Sequence, residues 1–244
     1  MPRNTDPITN SVWMRPPRSR RGKPSLSRDQ IVSAAIELLD AKGLSGLSMR
    51  RLGTKLGAGA TSVYWYVANK DELLELAVDE ILGEVDIPDP AVVGWRAAVS
   101  GVIQGLRSVI LRHVWITSVF GFRPAIGPQA MRMSDRVVAV LTAAGFEGAE
   151  VAYASSLLMS LAIGSATTDS ALHMATVRSG KTVTELVEEM DPYLHRVASD
   201  YPSYVTWWSE NKSMDIEKLQ KDSFDFGLER LLDGLAIRLE RKER

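Results

Sequence analysis

The stretch from Ser48 to Glu72 constrains this chain more than any other. It reads as two short helices around the turn Gly57-Ala58-Gly59, followed at once by the capped start of a longer helix. Helices this short are not stable alone in water, so neighbouring elements must hold them. In the first, Ser48 is the N-cap, Met49, Leu52 and Leu56 point inward, and Arg50, Arg51 and Lys55 point outward. In the second, Val63 and Val67 lie one turn apart and pin the segment to the others. Thr61, Ser62, Tyr64 and Trp65 are left facing out, hydroxyls and aromatics where a surface helix usually carries Glu and Lys. A face that hydrogen-bonds and stacks, yet is neither charged nor wholly apolar, suits a DNA groove better than open water.

Two helices joined by a tight turn read DNA when the first braces on the backbone and the second lies in the major groove. Ser48 and Arg50 sit at the N-terminal end of the bracing helix, where free N–H groups and the helix dipole favour phosphate. Tyr64, Tyr66 and Lys70 suit phosphates, because a phenol donates one hydrogen bond and an ammonium adds charge. Thr61, Ser62 and Trp65 suit base edges, through hydroxyl hydrogen bonds and apolar contact with thymine methyls. The competing reading makes the Tyr64-Trp65-Tyr66 aromatics core, and it weighs most on Tyr66, nearest the Val63 face.

The rest of the chain continues in helical periods. Residues 1–25 read as a disordered basic arm, in which Pro16, Pro17, Pro24 and Gly22 are scattered among five basic residues. Order begins at Ser27, with Gln30 at the capping-box spacing, and an apolar stripe from Ile31 to Leu39 ends near Gly43. Asn69 caps a further helix, with Glu72 placed to close a second capping box. Ile87-Pro88-Asp89-Pro90 ends it and sets the expected division, 26–88 for the DNA-binding domain and 89–244 for a larger helical domain. In the larger part, Trp95, Val99, Val102, Leu106, Val109 and His113 follow one helical face. Helices are predicted near 129–144, 147–163, 182–199, after Pro202 and at 216–240. The 147–163 helix is apolar nearly all round, and 216–240 lines up Phe224, Leu228, Leu231, Leu235 and Leu239. No alternating strand pattern occurs, so the fold class is all-α.

Composition closes several alternatives. The chain has 45% hydrophobic and 24% charged residues and no cysteine, which excludes disulfides, thiolate metal sites and thiol nucleophiles. The first residues lack the apolar run of a signal peptide, and no uninterrupted apolar run is long enough to span a bilayer, so a cytoplasmic protein without a membrane partner is expected. The net charge of −1 hides a division: 12 Lys/Arg against 4 Asp/Glu in residues 1–70, hence 17 against 26 in the remainder. A basic front and an acidic body favour a sequence reader over an architectural binder, whose charge would spread over the whole. No phosphate-cradling glycine loop, paired histidine ligands or nucleophile elbow supports an enzyme.

Residues 27–85 resemble the DNA-binding domain of the tetracycline-repressor (TetR) family of bacterial regulators. The residues that carry the likeness are the helix ending at Gly43, then Leu47-Ser48-Met49-Arg50-Arg51-Leu52, Lys55-Leu56-Gly57, and Val63-Tyr64-Trp65-Tyr66-Val67 before Asn69-Lys70. Phe224 to Leu231 is similar to the closing helix of the tetracycline repressor's own subgroup. The resemblance implies a homodimer that binds double-stranded operator DNA and holds a small-molecule effector in its larger domain. It implies DNA contacts from Ser48, Arg50, Ala60, Ser62, Tyr64, Trp65, Tyr66 and Lys70, with repression as the default. Ala60 stands where the tetracycline repressor has a base-reading Gln and Thr61 replaces a Pro, so a different operator is expected. Val119-Phe120-Gly121-Phe122-Arg123-Pro124 lacks the His that holds a magnesium–drug chelate there, so no metal or cofactor is expected.

The expected effector is therefore small and largely apolar. Trp95, Trp115, Phe120, Phe122, Met131, Met133, Tyr153 and Met159 are candidates to line its pocket, since methionines and aromatics adapt to varied ligands. His113, on the apolar stripe of its helix, is the candidate polar anchor, against the plainer reading of a hydrogen-bonded core residue. The 147–163 and 216–240 helices are the expected dimer seam, and a palindromic operator follows from its two-fold axis.

Overall fold

A computed structural model describes residues 11–14, 26–119 and 125–242, and among them every regular element is helical. The first bundle contains α1 (Arg28–Gly46), α2 (Met49–Lys55), α3 (Ala60–Tyr64) and α4 (Lys70–Leu82). Ser27 closes a full capping box with Gln30, and α1 turns sharply at Gly43, whose φ of 62° is open to glycine. Asn69 caps α4 by accepting from the Glu72 N–H, but the Glu72 carboxylate reaches one residue further back, to the Ala68 N–H. Ile31, Ala35, Leu39, Leu52, Val63, Val67, Leu73 and Ile81 form the core of this bundle.

Beyond it run α5 (Pro90–Arg112), a 3₁₀ turn (Val114–Ser118), α6 (Pro128–Ala143), α7 (Ala149–Ser179), α8 (Val183–Arg196), α9 (Pro202–Asn211) and α10 (Ile216–Glu240). α7 packs against α5, α6 and α10, so α5, α7 and α10 form the heart of the larger part. The apolar stripe read on α5 is buried from Val99 to His113, while Trp95 is half-buried.

Three expectations change. α7 runs to Ser179, well past 163, because the polar residues beyond Gly164 lie on its faces without breaking it, and it stops where Gly180 takes a left-handed turn. Among the described residues α7 is the one helix long and apolar enough by composition to cross a bilayer, but Ser155, Ser156, Ser160 and Ser165 interrupt its apolar run, and Leu158, Ala162 and Ala166 are buried against its neighbours. On α10 the fully buried positions are Phe224, Leu228 and Leu232, with Leu231, Leu235 and Leu239 only half-buried, a face rotated from the one expected.

The third change concerns the arm. Val12–Met14, expected to be disordered, form a 3₁₀ turn against α4. The Ser11 hydroxyl (2.7 Å) and the Val12 N–H (3.0 Å) both donate to Glu75, and the Arg28 guanidinium lies 5.6 Å over the Trp13 ring. Val12-Trp13-Met14 is the one apolar run in a polar segment, which is why it can be held. The remainder of residues 1–25 lies outside the described residues.

Candidate nucleic-acid interface

The turn between α2 and α3 is built by close backbone approach. A Cβ on Gly53 would lie 2.8 Å from the Ala58 carbonyl oxygen and 3.0 Å from the Ala60 nitrogen, so only glycine lets the two helices meet this tightly. Gly57 then takes φ 64°, and the Ala58 N–H donates to the Gly53 carbonyl at 2.9 Å. Val63 and Val67, fully buried, fix the rotation of α3. The consequence is the outward face read from the spacing: Thr61 is exposed, Tyr64 is 48% exposed and Trp65 76%. Ala60 and Ser62 are half-buried at its edge. Tyr64 and Trp65, adjacent and both exposed, give this face an apolar patch of the kind that marks interaction sites.

The bracing helix presents Ser48 and Arg50 to solvent. The Ser48 hydroxyl oxygen accepts from the Arg51 N–H at 3.2 Å, which leaves its proton available. Arg51 is committed inward, donating to the Ser45 and Gly46 carbonyls at 3.2 Å.

Two expected phosphate ligands are placed differently. The Tyr66 hydroxyl donates to the Leu26 carbonyl at 2.7 Å and Lys70 Nζ donates to the Leu44 carbonyl, also at 2.7 Å. Both tie the ends of α1 to the reading unit. Tyr66 has one proton to give and it is engaged by Leu26 here, whereas Lys70 keeps two further N–H donors.

The expected pocket residues do not converge. His113 and Trp115 are buried at the C-terminal end of α5, where both meet one carboxylate of α1: His113 Nδ1 lies 2.8 Å from Asp40 Oδ1, and Trp115 Nε1 donates to the same oxygen at 2.8 Å. His113 Nε2 lies 3.2 Å from Glu84 Oε1, and Glu84 also pairs with Arg112. Both ring nitrogens are thus occupied, and His113 joins α1 and the end of α4 to the body; it is not a free ligand anchor. Trp95 packs edge-on against Phe146, with ring centroids 6.2 Å apart, and belongs to the core there. Met131 (55% exposed) and Tyr153 (66%) face outward, and Met159 is half-buried against the core, as Met133 is fully. Phe120 and Phe122 lie outside the described residues. Periodicity alone could not separate these aromatics, because it gives the face of one helix and not the partner it meets.

Residues missed by the sequence reading are mostly acids. Asp79 on α4 is buried, and its carboxylate accepts from the Gln129 and Ala130 N–H groups at 3.0 Å each, capping α6 from another element. Leu73–Leu82 holds three acids, Glu75, Asp79 and Glu80, and nothing local marks Asp79 among them. Asp40 and Glu84 gave no signal either, since each reads as an ordinary solvated charge. Among the described residues no three His, Asp or Glu gather as a metal site.

Comparison with known proteins matches this architecture. The family pattern described as bacterial regulatory proteins, tetR family, matches residues 31–77, and that of the tetracyclin repressor-like C-terminal domain matches 87–239. An HTH-type transcriptional regulator of Saccharopolyspora erythraea is 36% identical over 227 residues, covering 93% of this chain and 91% of its own. This chain belongs to the TetR family of bacterial transcriptional regulators. As a TetR-family member it carries a helix–turn–helix DNA-binding domain, formed by α1 to α3 and closed by α4, and a larger helical domain. The HTH-type transcriptional repressor DrrR1 of Streptomyces coeruleorubidus is 34% identical, covering 90% of this chain and 80% of its own. These relatives are regulators of transcription and not enzymes, as the sequence implied. Among solved structures, apo ActR of Streptomyces coelicolor superposes with a TM-score of 0.73 at 29% identity over 91% of this chain and all of that one. ActR has also been solved in complex with actinorhodin, and that form superposes with a TM-score of 0.71 at 31% identity, covering 88% of this chain and 98% of that one.

Proposed function

We propose that this protein is an effector-controlled repressor, which binds a palindromic operator as a homodimer in the cytoplasm and leaves it when a small, largely apolar molecule occupies the domain formed by residues 89–244. The observation that carries the reading is the rigid, outward Thr61–Tyr64–Trp65 face of α3, held by buried Val63 and Val67 and braced by α2. The repressor DrrR1 and the ligand complexes of ActR support the two halves of the reading. For the homodimer, the support is the outer surface of α7 and α10, where Tyr153, Leu157, Phe226 and Ile237 remain exposed between small residues. Apolar side chains gathered on a helix pair call for a partner, and a second copy supplies the symmetric one.

Coupling follows from the polar links already described. Asp79 holds α4 to the start of α6, and Asp40 with Glu84 holds α1 and the end of α4 to His113 and Trp115. A ligand that favours a different placement of α5 and α6 moves α4, and with it the distance between the two reading helices of the dimer. Half-sites one helical turn apart tolerate little change in that distance. A tenfold loss of operator affinity needs about 1.4 kcal/mol of ligand preference for the altered state.

The experiment is nuclease footprinting on the DNA upstream of the protein's own gene, with purified wild type and Trp65→Ala, followed by release with a small-molecule set. Two protected, inverted half-sites lost in the variant support the reading. A footprint without sequence preference, or one that no molecule alters while several bind, reduces the protein to a constitutive DNA binder.

A further inference from the structure

In the larger domain an ion pair that the interdomain links do not use is largely sheltered from solvent. Arg107 on α5 donates through Nη2 to Asp169 on α7 at 2.6 Å, with the two side chains 14% and 10% exposed. The guanidinium carbon lies 4.7 Å from the centre of the Phe224 ring of α10. The pair is incomplete in one direction only. Arg107 Nε is buried and has no hydrogen-bond partner among the described residues, and the same holds for the hydroxyl of Ser170, a residue that is 0% exposed. Buried polar atoms are nearly always satisfied, and a buried ion pair left with open donors adds little to stability. Both open groups are able to donate. What they lack is an acceptor.

A groove lies one turn from the pair along α5 and α10. This groove of about 600 Å³ separates α5 from α10, with Ala97, Ser100 and Gln104 on one wall and Leu228 and Leu232 on the other. Arg107 continues the Ser100–Gln104 face of α5 by one turn, and Phe224 lies one turn before Leu228 on α10. The groove is of the size that small molecules fill. Its charged margin is mixed: Arg96 is paired with Asp233, Asp225 with Lys221 and Glu229 with Arg230.

We infer that Arg107, backed by the Phe224 ring, is the recognition site for an acidic, ring-bearing effector, whose anionic oxygens take the open guanidinium N–H while its ring system lies in the α5–α10 groove. This rests on the effector-controlled reading above and names the ligand class. Asp169 orients the guanidinium and keeps the empty site near neutral. An anionic group adds the acceptor that the site lacks, and a guanidinium backed by an aromatic ring favours planar, bidentate oxygen pairs. A cationic ligand would find Asp169 already engaged.

The test compares two probes with one skeleton, 1-anilinonaphthalene-8-sulfonate and its uncharged parent N-phenyl-1-naphthylamine, titrated into the full-length protein by fluorescence. The sulfonate is expected to bind at least tenfold more tightly than the parent. In the double variant Arg107→Gln with Asp169→Asn, which leaves an amide at each position and removes both charges together, that preference should disappear while the parent's affinity stays within about twofold. Arg107→Lys, which keeps the charge and loses Nε, should lose most of the preference and serves if the double variant does not fold. Equal affinity for the two probes, a preference that survives in both variants, or no binding of either probe overturns the site. Operator binding by the same preparations is read separately. Intact operator binding with release by some other molecule leaves the repressor reading standing when the anion site falls; absence of any operator binding removes that reading whatever the probes do.

Discussion

The contact between Asp79 and the start of α6 makes a double-mutant cycle with Gly127. Asp79 is 7% exposed and its carboxylate accepts from two backbone N–H groups at 3.0 Å, so Asp79→Ala removes a charged N-cap from another element. A lost cap costs roughly 0.5–2 kcal/mol, and a charged, sheltered one lies at the upper end, so about 2 kcal/mol is expected. Gly127 precedes α6 with a φ of −72°, which any residue can adopt. A Cβ there would nevertheless sit 2.3 Å from both Asp79 Cγ and Oδ1. Gly127→Ala should therefore expel the carboxylate and lose the same cap, on top of about 0.5–1 kcal/mol for alanine at an N-cap position. The single variants should cost about 2 and about 3 kcal/mol. The double variant should also cost about 3, because the second change then meets no carboxylate. The coupling is thus about 2 kcal/mol, well above the few tenths found for independent sites. Urea denaturation at one fixed protein concentration, fitted for midpoint and slope, measures all four corners. Costs that add within about 0.5 kcal/mol would refute the reasoning, since they would mean that Gly127 and the cap do not compete for one space.

Three further outcomes follow from particular contacts. Tyr64→Ala and Trp65→Ala should each weaken operator binding by about 1–3 kcal/mol, whereas Tyr66→Phe, which loses the bond to Leu26, should lower stability by about 1 kcal/mol; gel shift and thermal denaturation measure the two effects. Leu157→Asp, on the exposed side of α7, should give folded monomers by light scattering and circular dichroism, while Leu158→Asp, at a position with no exposure, should give unfolded chains; a stable Leu157→Asp dimer would remove α7 from the seam. Glu150 is held below the ordinary glutamate range by hydrogen bonds from Lys242 first and Arg238 second, so its contribution is present above that range and is lost as pH falls through the depressed folded value; amide exchange near 236–242 should rise on acidification in wild type and less so in Glu150→Gln.

The sequence made the helices legible because capping boxes and apolar stripes are local. Ser27 with Gln30, Ser48, Asn69 and the Val63–Val67 pair each act within a turn or two of themselves, and the structure places them as their spacing implies. The outward face of α3 was legible for the same reason, since two buried valines leave only one rotation. What stayed hidden were the destinations of side chains that reach across elements. Tyr66 and Lys70 turn back to carbonyls of residues 40 and 26 positions away, and His113 finds a carboxylate 73 positions away. Arg107, by its position off the apolar stripe, reads as solvated until α7 and α10 close over it. The full length of α7 was not legible because its nearly all-round apolar surface ends at Ile163, whereas Thr167 and Thr168 beyond it bond back to carbonyls one turn earlier and stay helical.

The junction between the reading unit and the body has a chemistry suited to switching. Apolar packing alone would let α4 and the 3₁₀ turn slide through a range of nearly equal placements, because dispersion contacts are weakly directional. Asp40, Asp79 and Glu84 add bonds that demand defined distances, and all three acids belong to the reading unit while their partners, Trp115, His113 and the α6 N-terminus, belong to the body. Leaving the Trp115 or Ala130 N–H without an acceptor costs about 1–3 kcal/mol each. A second placement of α4 is therefore populated only where these donors find other acceptors or where a ligand supplies the difference. Asp40→Ala tests this directly. It should lower stability by about 1–2 kcal/mol, since Asp40 is partly reached by water, and should loosen the coupling between effector and operator. Operator release, measured against effector concentration, should become shallower in that variant even where operator affinity without effector is close to wild type. Release curves that coincide with wild type would show that packing alone carries the signal.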